Sequence, residues 1–154
     1  MSKHFGYCCP RMSAYEETPM GILVSQIYRL LWSRATLIVR DFGVTVPQME
    51  CLAVLHAQPG VSNVEIAAEL RITPQAVSLV QRSLEEAGLV CRARRVADAR
   101  VLTTQLTAKG RKLFEHADAT LREDDDEILG DMTAKDRTQL RKLLGGVIEA
   151  MSAK

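Results

Sequence analysis

The sequence predicts a mainly α-helical chain with one small β-hairpin, an α+β arrangement in which helices dominate. Three observations carry this. From Met20 onward apolar residues recur at helical spacing in segments closed by Gly or Pro. One stretch, Leu89 to Leu106, changes to the alternation of a strand pair. Several helical runs are preceded directly by a side chain able to cap a helix: Thr45, Ser62, Thr73, Thr107 and Thr133. With 154 residues, 47% hydrophobic and 25% charged, the chain can bury a core without disulfides or a structural metal, and disorder throughout is excluded.

The elements follow in order. Residues 1–19 show little periodicity and contain Gly6, Pro10 and Pro19, which reads as an arm. Leu23, Ile27, Leu30, Leu31 and Ile38 mark a first helix, which Asp41-Phe42-Gly43 ends, Gly43 being suited to a left-handed stop. Thr45 caps a second helix with Pro47 in its first turn and Met49, Leu52, Ala53 and Leu55 inward, closed by Pro59-Gly60. Ser62-Asn63-Val64-Glu65 is a capping box, in which the serine bonds the third amide of the helix and the glutamate reaches back. The short helix it opens turns Ile66, Ala67 and Leu70 inward. Thr73-Pro74 starts another helix almost at once, with Val77, Val80 and Leu84 as its core face and Gly88 as its stop. Two helices joined by a turn of about three or four residues form a helix-turn-helix.

Leu89–Arg94 and Val101–Leu106 read as two strands around the charged loop 95–100, a wing placed directly after the helix-turn-helix. Thr107 opens a long helix through Leu113, Phe114, Ala117, Leu121 and Ile128. The last helix, after Thr133, carries an apolar stripe of Leu140, Leu143, Leu144, Val147, Ile148 and Met151. The expected organisation is an arm at 1–19, a helical dimerisation region at 20–45 and 108–154, and a winged helix-turn-helix lobe at 46–107.

Net charge is only +1, but it is unevenly spread. Residues 71–111 carry 8 basic and 3 acidic side chains, a net +5; the segments before and after sum to −1 and −3. A surface that meets phosphates needs this local positive field. Cys8, Cys9, Cys51 and Cys91 form no CxxC, no CxxH and no secreted disulfide pattern, which points to a reducing cytoplasm. His4, His56 and His116 are scattered, so no metal site and no cofactor are expected. No leader is expected at the N-terminus, and no membrane span, since no stretch approaches 18 consecutive apolar residues. The absence of a Gly-rich phosphate loop, a nucleophile elbow or paired His-carboxylate spacing argues against an enzyme.

Three stretches in order resemble the MarR family of regulators, over about residues 22–150. They are Val61-Ser62-Asn63-Val64-Glu65-Ile66-Ala67 with Leu70; Ile72-Thr73-Pro74-Gln75-Ala76-Val77-Ser78 running on to Leu84-Glu85-Glu86-Ala87-Gly88-Leu89-Val90; and Asp98-Ala99-Arg100 followed by Leu106-Thr107-Ala108-Lys109-Gly110. The resemblance implies a homodimer built by the first and last two helices. It implies winged lobes on adjacent major grooves of a near-palindromic double-stranded DNA operator. It further implies repression relieved by a small aromatic ligand or by thiol oxidation. Two positions depart from the family pattern: Ala99 stands where the wing usually has Arg, and Leu79 where the recognition helix often has Arg.

The exposed face of the helix after Thr73 then holds Gln75, Ser78, Leu79 and Arg82. Gln can bond adenine bidentately, Arg can bond guanine or phosphate, and Leu79 can meet a thymine methyl. By family analogy Arg100 enters the minor groove, with Asp98 fixing its guanidinium. Arg94 and Arg95, with Arg92, suit phosphate. The candidate DNA-binding set is Thr73, Gln75, Ser78, Leu79, Arg82, Arg94, Arg95, Asp98 and Arg100. Tyr28, Trp32, Met49 and His56 lie where related proteins form a ligand pocket. Two other readings are a thiol-based sensor using Cys8 and Cys9, and a winged-helix module that binds protein. The acidic run 123–127 reads as a solvated helix face.

Overall fold

The computed structural model describes residues 15–94 and 102–153. Its elements run α1 (Met20–Asp41), α2 (Val46–Ala57), α3 (Asn63–Leu70), α4 (Pro74–Glu86), β1 (Val90–Arg94), β2 (Leu102–Leu106), α5 (Ala108–Ile128) and α6 (Ala134–Ser152). The chain divides between Val46 and Pro47 into two compact units.

The first unit is dominated by α1. The helix ends in a Schellman motif: Gly43 takes φ +73°, its N–H donates to the Arg40 carbonyl at 2.9 Å, and the Val44 N–H to that of Val39 at 3.2 Å. Val39 and Val44 are buried, but Met20, Ile27, Leu30 and Leu37 stand more than half exposed. By length and composition α1 is apolar enough to cross a membrane. A count of consecutive apolar residues misses this because Arg29 and Arg34 interrupt the run. Near a bilayer centre those arginines would each cost about 2.5–3.5 kcal/mol.

The second unit holds α2 to α6. Its core is Leu52, Leu55, Ile66, Val77, Leu84, Leu89, Val90, Phe114 and Ala117, all buried. The capping box is present, with Ser62 N–H donating to Glu65 Oε2 at 2.6 Å and Glu65 N–H to Ser62 Oγ at 3.3 Å. Thr73, Thr107 and Thr133 each cap their helix by accepting from the third amide. Three residues, Arg71-Ile72-Thr73, join α3 to α4. Arg71 adopts the left-handed conformation at φ 54°, which closes α3 through Ile72 N–H to Ala67 O at 3.0 Å. Glycine would adopt it more cheaply. The Arg71 guanidinium reaches the end of α6, donating to Ser152 Oγ at 2.6 Å.

Ala53 and Leu70, read as inward, are only half-buried, and α4 differs most from expectation. On α4 the third buried residue is Gln81, not Val80, which is only half-buried. At about 100° per residue, Val77, Gln81 and Leu84 share one arc and Val80 falls on its rim. Among the described residues the Gln81 amide nitrogen has no hydrogen-bond partner.

β1 and β2 pair antiparallel, Val90 opposite Leu106 and Arg94 opposite Leu102. Thr107 binds the base of this hairpin to the end of α4. Its N–H donates to the Leu89 carbonyl at 3.0 Å and its hydroxyl to that of Gly88 at 2.8 Å. Lys109 Nζ donates to the Ala87 carbonyl at 2.8 Å, placing a cation at the C-terminal end of α4. Beyond α5 the chain turns into α6, and Arg137 Nη1 meets Asp126 at 2.9 Å across that turn.

Candidate nucleic-acid interface

α4 begins at a cap that spends no base-reading group except Thr73, whose hydroxyl accepts from the Ala76 N–H at 3.2 Å. Burial of Val77, Gln81 and Leu84 fixes which side faces outward. Gln75, Leu79 and Arg82 are exposed together on the opposite side, Leu79 by 62%. Glu86 lies on the same strip in the last turn; it was not foreseen, although the helical period places it there.

Ser78 is differently occupied. Its hydroxyl proton goes to the Pro74 carbonyl at 2.9 Å, and its oxygen accepts from Asn63 Nδ2 at 3.1 Å. A second bond of this kind joins Gln48 Nε2 to Ser83 Oγ at 2.8 Å. Neither partner is visible in the sequence, since the paired residues lie 15 and 35 positions apart.

In the hairpin, Arg92 Nε pairs with Glu85 at 2.7 Å, half-exposed, and so helps to dock β1 on α4. Arg94 lies in β1. Arg95, Asp98 and Arg100 fall outside the described residues.

The four side chains named for a ligand fall in both units. In the first, the Tyr28 and Trp32 rings stand 5.7 Å apart, tilted by 42°. In the second, Met49 is buried and the His56 ring lies 4.6 Å from that of Phe114. Among the described residues the buried His56 Nδ1 has no hydrogen-bond partner.

The thiols described are Cys51, buried, and Cys91, exposed. Burial pushes the Cys51 thiol up to about 11, so it holds its proton at neutral pH and is a poor nucleophile. Cys8 and Cys9 lie outside the described residues. Among the described residues no group of three or more His, Cys, Asp or Glu side chains is placed to hold a metal ion.

Comparison with known proteins agrees with this geometry. The model of the MarR family matches residues 44–102. The HTH-type transcriptional repressor Rv2887 of Mycobacterium tuberculosis is 34% identical over 133 residues, covering 86% of this chain and 96% of the relative. The crystal structure of the M. tuberculosis MarR family protein Rv2887 in complex with DNA superposes with a TM-score of 0.72 at 31% identity, over 85% of this chain and 98% of that one. A structure of the same protein in complex with salicylic acid gives 0.69 at 33% identity, over 86% and 98%. The chain belongs to the MarR family. It is a DNA-binding transcriptional regulator with a winged helix-turn-helix fold.

Proposed function

We propose that this chain is a homodimeric repressor of the cytoplasm that holds a near-palindromic operator through α4 and the wing, and releases it when an aromatic acid binds. The observation that carries the reading is the exposed strip of Gln75, Leu79 and Arg82 on α4, within the segment of net charge +5. The strip offers a bidentate amide, an apolar contact and a guanidinium, the groups that tell base pairs apart in a major groove. In this reading Thr73 and Arg94 meet the phosphate backbone, Arg95 does the same from the wing, and Arg100, oriented by Asp98, enters the minor groove. The relative Rv2887 has been crystallised with DNA and with salicylic acid, which supports both halves. The protein acts by differential binding and catalyses nothing. Two ring pairs, Tyr28 with Trp32 and His56 with Phe114, are each offered as contacts for the acid. The acid acts only if it binds the DNA-free conformation more tightly.

The wild-type chain should enrich one near-palindromic duplex from a random-sequence pool, and its affinity should fall log-linearly with salt. Salicylate should quench the single tryptophan and release that duplex over the same concentration range. A chain that enriches no sequence overturns the reading. Quenching without release would remove the acid from regulation.

The dimer rests on apolar faces left exposed on α1 and α6. On α6, Leu143, Ile148 and Met151 are about 60–70% exposed, and Leu144 and Val147 nearly half. Such patches mark a protein interface, and an obligate one buries roughly 2,000 Å² or more. Light scattering at low micromolar concentration should give about twice 17.1 kDa. Ile148→Glu should shift the species to monomer and abolish tight operator binding. A wild-type monomer would overturn the assembly.

A further inference from the structure

Serines 78 and 83 flank the exposed strip of α4. With Ser78 set at zero and about 100° per residue, Arg82, Gln75, Glu86 and Leu79 fall at roughly 40°, 60°, 80° and 100°. Ser83 falls at roughly 140°, while buried Val77, Gln81 and Leu84 occupy about 240–300°. One serine therefore stands on each border of the strip. Each is held by an amide from a different helix: Asn63 of α3 donates to Ser78 at 3.1 Å, and Gln48 of α2 to Ser83 at 2.8 Å.

We propose that Asn63 and Gln48 are positioning residues, a two-sided clamp that sets the rotation of α4 about its axis and so the aim of Gln75, Leu79 and Arg82. Ser78 belongs to this clamp. Its single proton is given to the Pro74 carbonyl, so it has none for a phosphate or a base acceptor. The inference rests on the reading that α4 faces DNA.

Burial of Val77, Gln81 and Leu84 sets which side of α4 faces outward, and the two clamp bonds narrow the rotation that remains. Among the described residues the Gln81 amide nitrogen has no hydrogen-bond partner, so that nitrogen adds no directed contact on the buried side. The two clamp bonds add directed contacts at the borders of the strip. A side-chain tip about 5–6 Å from the axis moves roughly 2 Å when the helix turns by about 20°. A displacement of that size breaks a base hydrogen bond, whose donor–acceptor range is about 0.5 Å. Loss of either clamp should therefore cost recognition of sequence and leave the attraction to phosphate intact.

The experiment takes the duplex that the wild-type full chain selects from a random pool, and a scrambled duplex of the same composition. Asn63→Ala, Gln48→Ala and Ser78→Ala are compared with wild type at several salt concentrations, with melting temperature measured on each. Each substitution should lower affinity for the selected duplex about three- to tenfold. Affinity for the scrambled duplex and the salt slope should be unchanged. Asn63→Ala with Ser78→Ala together should lose no more than either alone, because they break the same bond. Ser78→Ala places a better helix former in α4, so it remains folded and decides the matter if an amide variant does not. An unchanged ratio of selected to scrambled affinity overturns the clamp. So do equal losses on both duplexes with a shallower salt slope, which would make Asn63 or Gln48 a phosphate contact. A wild-type chain that selects no duplex overturns the DNA reading itself, an outcome distinct from variants that match a selective wild type.

Discussion

Gly110→Ala is expected to destabilise the second unit by about 3 kcal/mol, enough to lower Tm by roughly 10 °C. A Cβ at Gly110 would overlap the Leu89 carbonyl oxygen, with the carbonyl carbon only 2.8 Å away. Both obstacles are backbone, so no side chain can swing aside. The Leu89 carbonyl cannot retreat freely, because it accepts from the Thr107 N–H at 3.0 Å. Leu89 is also buried in the core and is the second residue after the Ala87 cap of α4. Relief would require α5 to move away from the junction where α4, the hairpin and α5 meet. That motion would break the Thr107 and Lys109 bonds as well. Gly145→Ala is the contrasting control, since a Cβ there meets nothing within 4 Å and helix propensity alone should stabilise by about 0.5–1 kcal/mol. Denaturant melts of both variants check the pair. A Gly110→Ala protein within about 1 kcal/mol of wild type would mean that α5 approaches the Leu89 carbonyl less closely than described.

The contrast between these glycines shows what a sequence can carry. Gly43 and Gly88 were read as helix stops, and both take a left-handed φ, because the residues that require it are their own chain neighbours. The caps at Ser62, Thr73, Thr107 and Thr133 were legible for the same reason: the partner amide lies three positions away. Gly110 stood inside a motif that resembled a family, but its physical need comes from Leu89, 21 positions earlier in the chain. Gln81 was missed because polarity argues against burial, and its position on the buried arc of α4 outweighs that. The left-handed Arg71 had no local signal, since the usual glycine or asparagine is absent.

At the candidate interface the same division holds. Helical period alone placed Gln75, Leu79 and Arg82 on one exposed face. It also placed Ser78 beside them, but it could not show that Asn63 and Pro74 already occupy the serine hydroxyl. Residues proposed to read bases are set by the period of one helix, whereas those proposed to aim it are set by its neighbours. The second class becomes readable only when α2, α3 and α4 are assembled.

Arg100→Ala is expected to weaken operator binding by about 1–3 kcal/mol per half-site, so that a dimer engaging two half-sites loses up to twice that. Residues 71–111 hold the positive field of the chain, and Arg100 falls between β1 and β2 in the sequence. A guanidinium inserted in a narrow minor groove meets concentrated negative potential, which a phosphate contact on the outside does not. Ala99 stands where the family usually has a second Arg, so an Arg100 that enters the groove would do so without that neighbour and its loss would not be compensated. Folding should be unchanged, because among the described residues the buried side chains of the second unit come chiefly from α2 to α5 and the base of the hairpin. Arg82→Ala behaves differently according to its role. If Arg82 reads a base, discrimination falls at that position; if it meets phosphate, all duplexes weaken alike and the salt slope drops by about one per subunit. Titration of each variant against selected and scrambled duplexes at several salt concentrations, with Tm as the folding control, separates these outcomes. A folded Arg100→Ala dimer that binds the selected duplex with wild-type affinity would remove the wing from recognition and leave α4 as the only reader.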